Sequence, residues 1–360
     1  MKNNLYTIGV EEEYMICDNS GNLINKADLI IEHIKEKYND RFSYELILSE
    51  IESNTSINNT LTESLNEIIK LRNLLKNIGK NNSFHLGISG THPTAISSEQ
   101  KFVKNDSYEW VLNQLKYYAS KNITFSIHVH IGLDDKEKLI KVTNTLRRWI
   151  APMLALSANS PFIEGSNTGM KSSRTFQFGL FPRTEIPVFL KSFSEYNDII
   201  NKFTETGSIV KPRHIWWKIR PHIEFNTVEF RVCDAQRGLK NIEMIIGIVQ
   251  ALVRTIDVNE DFNHNYQYEY LTDSLWKASS NGLDSTIIDP YDNKIITMKD
   301  MVRKMLDYCN DSLKYFGNIH VRKTVENILN QGTESDKQLE IFDKFGMDYL
   351  KKYLIETVEY

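Results

Sequence analysis

The sequence predicts an α+β domain in which one face of a β-sheet carries chemically active side chains. Three segments, residues 7–14, 125–131 and 227–232, alternate apolar and polar residues with the two-residue period of a strand. Other segments repeat apolar residues at helical spacing, and no repeat, low-complexity block or Pro/Gly/Ser-rich linker divides the chain. We therefore expect one catalytic domain over residues 1–360.

The composition is that of an ordinary soluble globular protein. Of the 360 residues, 41% are hydrophobic and 25% are charged, and the formal net charge is -4. Charges of both signs are interspersed, which predicts neither a nucleic-acid partner nor binding to an anionic membrane. The three cysteines, Cys17, Cys233 and Cys309, form no CxxC pair, so we expect a reducing, cytoplasmic location. The longest apolar run, about residues 244–253, is too short to span a bilayer.

Helices are expected between and after the strands. Residues 60–80 give the clearest pattern, because Thr60 and Glu63 match a capping box and apolar residues follow at helical spacing. Further helices are expected at residues 109–120, 136–158, 241–256 and from 299 onward. Pro152 should bend or divide the helix that contains it, because proline lacks a backbone N–H. Residues 256–360 are expected to be mostly helical and to serve packing.

The first strand places two carboxylates on one face. Side chains alternate along a strand, so Glu11 and Glu13 point one way while Glu12 and Tyr14 point the other. The two Cα atoms would be about 7 Å apart. Carboxylates at that spacing repel each other unless a cation lies between them, and divalent cations are the usual solution. The segment by itself fits a charged, solvated sheet edge equally well.

The other two strands carry comparable polar faces. His128 and His130 share one face of the second strand, and Glu229 and Arg231 share one face of the third. A half-buried strand usually presents Thr, Ser, Lys or Gln to water instead. Three strands with acidic, imidazole and guanidinium groups on their polar faces therefore predict one sheet whose open face is a reaction surface.

Each of these pairs also has an alternative interpretation. The His128-Val129-His130 segment fits a zinc site, since two imidazoles on one strand face are a common arrangement, but it also fits a hydrogen-bonded polar pair. His92 could add a ligand or could cap a loop. Glu229 could hold a cation while Arg231 clamps a carboxylate or phosphoryl group, or the two could form a weak surface ion pair.

Two further segments carry candidate residues. Glu45 and Glu52 are seven residues apart, so they would share a site only if a bulge or turn lay between them. Residues 165–174 form a glycine-bearing, basic loop that could bind an anion through Lys171, Arg174 and backbone amides. Its spacing does not match a P-loop, and a mobile surface loop is the alternative. No GxGxxG element supports a dinucleotide-binding domain.

Taken in order, the motifs resemble those of a known family. The series is Gly9-Val10-Glu11-Glu12-Glu13, Gly90-Thr91-His92-Pro93, His128-Val129-His130-Ile131-Gly132, Ala155-Leu156-Ser157-Ala158-Asn159-Ser160-Pro161, Ser172-Ser173-Arg174, Arg220-Pro221 and Thr227-Val228-Glu229-Phe230-Arg231-Val232. Over about residues 6–255 it closely resembles the bacterial carboxylate-amine ligases of the glutamate-cysteine ligase type 2 family. The resemblance implies a glutamine-synthetase-like antiparallel β-sheet funnel with helices packed on its outer face.

The resemblance also implies a reaction. Such ligases use ATP to phosphorylate a substrate carboxylate, and an amine then displaces phosphate to form an amide; glutamate and cysteine, which give γ-glutamylcysteine, are the family's default substrates. The implied cofactors are ATP and Mg²⁺, with Mn²⁺ as an alternative. The expected partners are small molecules, an amino-acid carboxylate and an amine, and a homo-oligomer is a further expectation.

The same resemblance assigns roles to residues. The implied metal ligands are Glu11, Glu13, Glu45, Glu52, His128 and Glu229. Arg231 matches the arginine that meets the reacting carboxylate and the transferred phosphoryl group. The resemblance assigns Arg174 and Arg220 to substrate or phosphate contacts; Lys171, His92 and His130 are expected to add substrate or nucleotide contacts from their own sequence context. Phosphoryl transfer depends on cationic groups that position the phosphate and spread its charge, which fits this division of roles.

Two other functions are alternatives at this stage. A zinc-dependent hydrolase built on His128 and His130 would bind zinc tightly and turn over without ATP, but it leaves the acidic positions unexplained. A non-catalytic, small-molecule-binding relative would retain the funnel without turnover. The sequence departs from the usual family pattern at Ile163, Asn167 and Met170. That departure concerns the substrate pocket more than the phosphate chemistry.

Overall fold

An antiparallel sheet surrounded by helices organises the chain in a computed structural model, which describes residues 5–34, 38, 40–259 and 263–360. Within these residues the strands are β1 (Ile8–Cys17), β2 (Phe42–Tyr44), β3 (Glu50–Asn54), β4 (His85–Gly87), β5 (Ile127–Gly132), β6 (Phe162–Ile163), β7 (Ser166–Asn167), β8 (Ile219–His222), β9 (Thr227–Phe230), β10 (Thr286–Ile288) and β11 (Ile295–Thr297).

Helices make up most of the remaining secondary structure. In the same residues they are α1 (Ala27–Ile34), α2 (Leu61–Asn82), α3 (Asp106–Leu115), α4 (Lys136–Leu146), α5 (Ile150–Ser157), α6 (Arg174–Phe178), α7 (Phe193–Glu205), α8 (Leu239–Val258), α9 (Tyr268–Asn281), α10 (Met298–Tyr308), α11 (Asn310–Tyr315), α12 (Val321–Gln331), α13 (Glu334–Phe345) and α14 (Met347–Glu356). None of the helices in the described part of the chain has the length and apolarity needed to cross a bilayer.

The central sheet brings the three predicted strands together. Its strand order is β2-β3-β1-β5-β9-β8, with β4 also paired to β1, and every pairing is antiparallel. Glu11 lies opposite His128, and His130 lies opposite Glu229. Directly opposed residues share a face, so the polar faces of β1, β5 and β9 form one continuous surface, as the sequence predicts.

The other face of the sheet is apolar and is covered by helices. Val10, Val129 and Phe230 are buried in the same core cluster as residues of α4, α5 and α8. Glu12 also points to this face, where its carboxylate meets the guanidinium of Arg72 on α2 at 2.8 Å. The predicted separation of Glu12 from Glu11 and Glu13 is therefore confirmed, and so is the α+β class with helices on the outer face.

The helix predictions hold with local corrections. Thr60 caps α2 in the predicted capping box, with Glu63 N–H donating to its side chain at 3.2 Å. The predicted helix at 136–158 is divided, but the break lies at Arg147–Trp149 and not at Pro152. Pro152 falls in the first turn of α5, where a missing N–H leaves no intrahelical bond unmade.

The end of the chain is mostly helical, as expected, with one exception. Helices α9 to α14 account for most of it, but β10 and β11 form a small antiparallel hairpin that the sequence did not predict. The predicted helix at 109–120 also differs, because α3 ends at Leu115 and a 3₁₀ turn occupies Lys116–Lys121. Lys116 adopts a positive φ of 51°, which is incompatible with continuing the α-helix.

Candidate active site

A cavity of about 700 Å³ lies over the polar face of the central sheet. Side chains of β1, β2, β3 and β5 form one part of its lining, and the region of α3, α6 and β8 forms the rest. The predicted site residues in the lining are Glu11, Glu13, Glu45, Glu52, His128, Arg174, Arg220 and Arg231. Glu229 and His130 are buried and contact members of this set.

Glu11 sits between the two histidines of β5. Its Oε2 is 2.8 Å from His128 Nδ1, and its Oε1 is 3.1 Å from His130 Nε2. Burial by itself would raise the pKa of Glu11, but the charge of His130 and the hydrogen bonds from both imidazoles hold it well below the usual value. Glu11 is therefore a carboxylate that stays ionised within the cavity.

Glu13 and His128 are joined through Ser126. The Ser126 amide and hydroxyl both donate to Glu13 Oε2, at 2.5 and 2.7 Å, and the same hydroxyl is 2.8 Å from His128 Nε2. Burial and the nearby Arg231 lower the pKa of His128. The hydrogen bond to Glu11 and the charges of Glu13 and Glu11 act in the opposite direction and favour the protonated ring.

A hairpin brings Glu45 and Glu52 to the same cavity. Glu52 lies on β3 and pairs with Ser43 of β2, while Glu45 follows β2 in the intervening turn. This is the turn that the seven-residue spacing required. Burial and then Glu11 raise the pKa of Glu52 to about 7, and burial followed by the charge of Glu52 raises the pKa of Glu45 well above its usual value.

Two groups of side chains could hold a metal ion. Glu11, His128 and Glu229 form one, and Glu13, Glu52 and His128 form the other, with one ligand atom from each residue within 4.8 Å of the rest. Donors rich in carboxylate oxygen suit Mg²⁺ or Mn²⁺ better than Zn²⁺. Neither group contains both histidines.

Glu229 is held between two arginines. Arg220 Nε donates to its Oε2 at 2.6 Å, and Arg231 Nη1 donates to its Oε1. Burial would raise the pKa of Glu229, but the two guanidinium groups, Arg220 first, hold it well below the usual value. The buried Nε of Arg231 has no hydrogen-bond partner among the described residues, which leaves a donor for a ligand.

Arg174 is fixed by backbone carbonyls. Its Nη1 donates to Val232 O at 3.1 Å and its Nη2 to Arg231 O at 3.2 Å, while its buried Nε has no acceptor within the described ranges. Asp234 lies 3.8 Å from the guanidinium. The guanidinium therefore has a set orientation and one donor to spare.

The Asp234 carboxylate is the shared hydrogen-bond acceptor of several motif residues. Its carboxylate accepts hydrogen bonds from Asn159 N at 2.8 Å, Ser160 Oγ at 2.7 Å and Ser172 Oγ at 3.0 Å. Ser160 Oγ in turn accepts from the backbone amide of Arg174 at 3.1 Å. These motif residues thus position Arg174 through a buried carboxylate and form part of the frame of the site.

The structure does not bring Lys171 or His92 to the cavity. Lys171 Nζ is 2.5 Å from Asp336 Oδ1, so the predicted anion-binding lysine is paired with α13 instead. His92 Nε2 donates to Gly21 O at 2.7 Å, and its Nδ1 accepts from the amide of Ala95 at 2.9 Å. Both ring nitrogens of His92 are therefore used in holding loops together.

His130 reaches the site only indirectly. It contacts Glu11 as described, and its Nδ1 is 2.9 Å from Thr227 Oγ1. The described residues that line the cavity do not include it. His130 therefore supports Glu11 through one ring nitrogen and is held by Thr227 through the other.

The sequence prediction missed several charged residues at the site, among them Arg213 and Glu224 in the cavity lining. Glu50 lines the cavity two residues before Glu52, and Lys218 is buried two residues before Arg220. Burial and the charge of Glu13 raise the pKa of Glu50 well above its usual value. The two-residue period of each strand contained the signal, because residues i and i+2 share a face.

Aromatic side chains complete the lining of the cavity, and no sequence pattern predicts them. Phe178, Phe181 and Trp216 line the cavity, and the ring of Trp110 stacks on His214 with centroids 4.1 Å apart. These residues come from α3, α6 and the segment before β8, which only the tertiary fold brings together. They provide an apolar boundary opposite the charged sheet.

The antiparallel sheet with helices on its outer face is a glutamine-synthetase-like fold, which solved ligases share. The crystal structure of glutamate-cysteine ligase from Francisella tularensis in complex with AMP matches with a TM-score of 0.76 and 13% identity, over 98% of this chain and 88% of that chain. A bifunctional glutathione synthetase from Pasteurella multocida matches with a TM-score of 0.72 and 12% identity, over 98% of this chain and 52% of that one. At these identities the likeness is one of fold, and it confirms the predicted architecture.

Sequence comparison gives the family. The family model described as "Glutamate-cysteine ligase family 2 (GCS2)" matches residues 7–348. A relative from Solibacter usitatus, named "Putative glutamate--cysteine ligase 2", is 32% identical over 368 residues, which cover 98% of this chain and 94% of the relative. The chain belongs to glutamate-cysteine ligase family 2, which confirms the predicted family and enzyme class, a ligase.

Proposed function

We propose that this ligase joins an amino-acid carboxylate to an amine through an acyl phosphate, with glutamate and cysteine as its substrates. One observation carries the proposal: a single cavity wall holds carboxylates grouped for cations next to arginines with free donors. A nucleotide triphosphate and an acyl phosphate need both kinds of group. The relatives' names support the choice of glutamate and cysteine.

The reaction has two balanced steps. A carboxylate oxygen of the acid attacks the γ-phosphorus of ATP, which forms the acyl phosphate and releases ADP. The amine nitrogen then attacks the acyl carbon, which forms the amide, releases inorganic phosphate and frees a proton. Both steps concentrate negative charge on phosphoryl oxygens, and cationic groups fixed in a low-dielectric site stabilise such charge most effectively.

The carboxylates fit magnesium as the cofactor. Glu11, Glu13, Glu52 and Glu229, with His128, would hold it, because their ligand atoms converge in two groups and the pKa of Glu52 is raised by burial and then by the charge of Glu11. Magnesium bound there would supply charge neutralisation for the nucleotide phosphates. Glu45 lies beside Glu52 and completes the acidic side.

Arg231 and Arg174 are proposed to act on the transferred group. Arg231 is oriented by Glu229, and Arg174 is oriented by the carbonyls of residues 231 and 232, so neither guanidinium must be ordered during the reaction. Each retains an unpartnered Nε within the described part of the chain. Planar guanidinium groups recognise phosphoryl and carboxylate oxygens well.

The residues after 263 support a single catalytic unit. They include no residue that lines the cavity among those described, and helices α10, α11 and α12 pack against α8 in the main core cluster. We infer that they buttress the sheet rather than form a second site.

An ADP-release assay tests the proposal. The purified protein is incubated with Mg²⁺ and ATP, with each amino acid alone and then with paired amines, and the product is identified by mass spectrometry. Glutamate-dependent ADP release that rises with cysteine and yields γ-glutamylcysteine supports it. ADP release with a different pair corrects the substrates only. Absence of ATP turnover with every pair, in a folded protein, contradicts the proposal.

A further inference from the structure

Lys218 is a buried cation without a counterion. Its exposed fraction is 8%, and its ammonium forms no hydrogen bond or ion pair with any residue that the structure describes. A buried ammonium is costly unless it is paired, and such groups are normally satisfied. The burial of the Lys218 ammonium is therefore not explained by pairing with the described residues.

Strand geometry places Lys218 on the reactive face. Its backbone extends the β8–β9 ladder by one residue, because Lys218 O accepts the amide of Arg231 at 2.9 Å. Side chains alternate along a strand, so Lys218 shares a face with Arg220, two residues later. The neighbouring Ile219, on the opposite face, is part of the apolar core.

The charges around Lys218 are mainly positive. Burial, and then the guanidinium of Arg174, lower the pKa of Lys218 to about 7, with Arg231 acting in the same direction. The two acidic groups that oppose this are poor partners: Asp234 already accepts three hydrogen bonds, and Glu185 is exposed. Lys218 thus lies near two guanidinium groups, those of Arg174 and Arg231, whose own anionic neighbours are Asp234 and Glu229.

We propose that Arg174, Lys218 and Arg231 form a binding pocket for an oxyanion, either the transferred phosphoryl group or a carboxylate of the acid substrate. Besides the free ammonium, the pocket has two buried, unpartnered donors, the Nε atoms of Arg174 and Arg231. An oxyanion would satisfy these donors and relieve the repulsion among the three cations. This assignment rests on the proposed function, because Arg174 and Arg231 line the same cavity; Lys218 is buried and is not among the described residues of that lining.

Binding measurements with matched variants test the pocket. Lys218→Met removes the charge and keeps an apolar chain, Lys218→Arg keeps the charge, and Lys294→Met removes a lysine whose side chain is 79% exposed, on the β10–β11 loop. Inorganic phosphate and glutamate are the two probes, titrated by calorimetry in the presence of Mg²⁺. We expect Lys218→Met to bind at least one probe about 10- to 100-fold more weakly, because a charge-assisted hydrogen bond is lost. Lys218→Arg should remain near the wild type, and Lys294→Met should equal it.

The probes separate the two sources of the oxyanion. Weaker binding of phosphate alone identifies a phosphoryl site, and weaker binding of glutamate alone identifies a carboxylate site. Unchanged binding of both probes in folded Lys218→Met overturns the proposal.

A second measurement uses the wild-type protein, so it does not depend on whether a Lys218 variant folds. Reductive methylation of the wild-type protein, read by peptide mass spectrometry, should be slower at Lys218 when phosphate or glutamate is present and unchanged at Lys294. Absence of protection by both probes contradicts the pocket. Neither measurement requires turnover, so a protein that fails to use ATP would contradict the proposed function and leave this test intact.

Discussion

The two sides of the cavity balance their charges in opposite ways. On the acidic side, formed by Glu13, Glu45, Glu50 and Glu52, carboxylates face one another, and burial together with mutual repulsion raises the pKa of the last three. On the basic side, formed by Arg174, Lys218, Arg220 and Arg231, the carboxylate of Glu229 is held well below its usual pKa by its arginine neighbours. Glu11 and His128 lie between the two sides.

This difference shows what each side lacks. The acidic side has acceptors and no cation, while the basic side has spare donors and no free anion among the described residues. Buried charges of one sign are unfavourable for folding, so their retention is better explained by a ligand than by stability. A magnesium-bound nucleotide and an acyl phosphate would complete both sides at once.

Among the predicted effects, the largest loss of activity is expected when Arg231, on the basic side, is replaced. Arg231→Ala removes the donor next to Glu229 but leaves Glu229 paired with Arg220, so the fold should be retained. We expect kcat for amide formation to fall by about 10²- to 10³-fold, as when a fixed donor to a developing charge is removed. Nucleotide binding, measured by calorimetry, should change little.

Arg231→Lys is the control for charge. It should recover part of the rate, because a lysine carries the charge without the planar fork. Retained kcat in Arg231→Ala would remove Arg231 from the proposed catalytic role.

Replacement of Glu12 tests whether a glutamate of β1 must lie on the cavity face of the strand to take part in catalysis. Glu12 is adjacent to Glu11 in sequence, but its carboxylate pairs with the fully buried Arg72 and accepts the Tyr14 hydroxyl at 2.6 Å. Glu12→Gln leaves the Arg72 charge uncompensated and should lower the free energy of unfolding by about 3 kcal/mol, measured with urea. The folded variant should keep the wild-type kcat, and a selective loss of kcat would contradict the assignment of Glu12 to the frame.

Replacement of Glu11 tests the part of the cavity that lies between the acidic and the basic sides. Glu11→Gln keeps the side-chain shape but removes the charge that the two histidines surround. We expect the affinity for Mg²⁺-ATP to fall by about 10- to 50-fold, because a charged ligand is replaced by a neutral one. Glu12→Gln is the matched control in the same titration, and equal affinities in the two variants would contradict the predicted metal role of Glu11.

Local patterns were sufficient to predict the faces of the strands. Because side chains alternate with a period of two, Glu11 and Glu13 could be separated from Glu12 without any tertiary information. The joint order of motifs predicted the family and hence the antiparallel funnel. The same period would have indicated Glu50 and Lys218, but single charged residues on strands are usually solvated and were not distinctive.

Contacts between distant segments could not be predicted in this way. Lys171 looked like an anion-binding residue because its loop is basic and glycine-bearing, yet its partner Asp336 is 165 residues away. Proline is the strongest local signal and predicts a break at Pro152, whereas the helix is interrupted by the 3₁₀ turn that ends three residues earlier, at Trp149. Both errors arise where tertiary packing overrides a local preference.

Replacement of His92 should have the smallest effect on activity, because His92 lies outside both sides of the cavity. It tests which residues belong to the active site. Burial lowers the pKa of His92 from about 6.5 to about 4, so protonation favours the unfolded chain. Its contribution to stability is complete above pH 6.5 and is lost as the pH falls toward 4, which amounts to about 2 kcal/mol between pH 6.5 and 5.

Urea unfolding of the wild type and of His92→Gln across this range should show a shallower loss of stability in the variant, and His33→Gln, at an exposed histidine, should follow the wild type. Because His92 binds loops and not substrate, folded His92→Gln should keep its KM values; a selective rise in KM would return His92 to the substrate site that the sequence predicted.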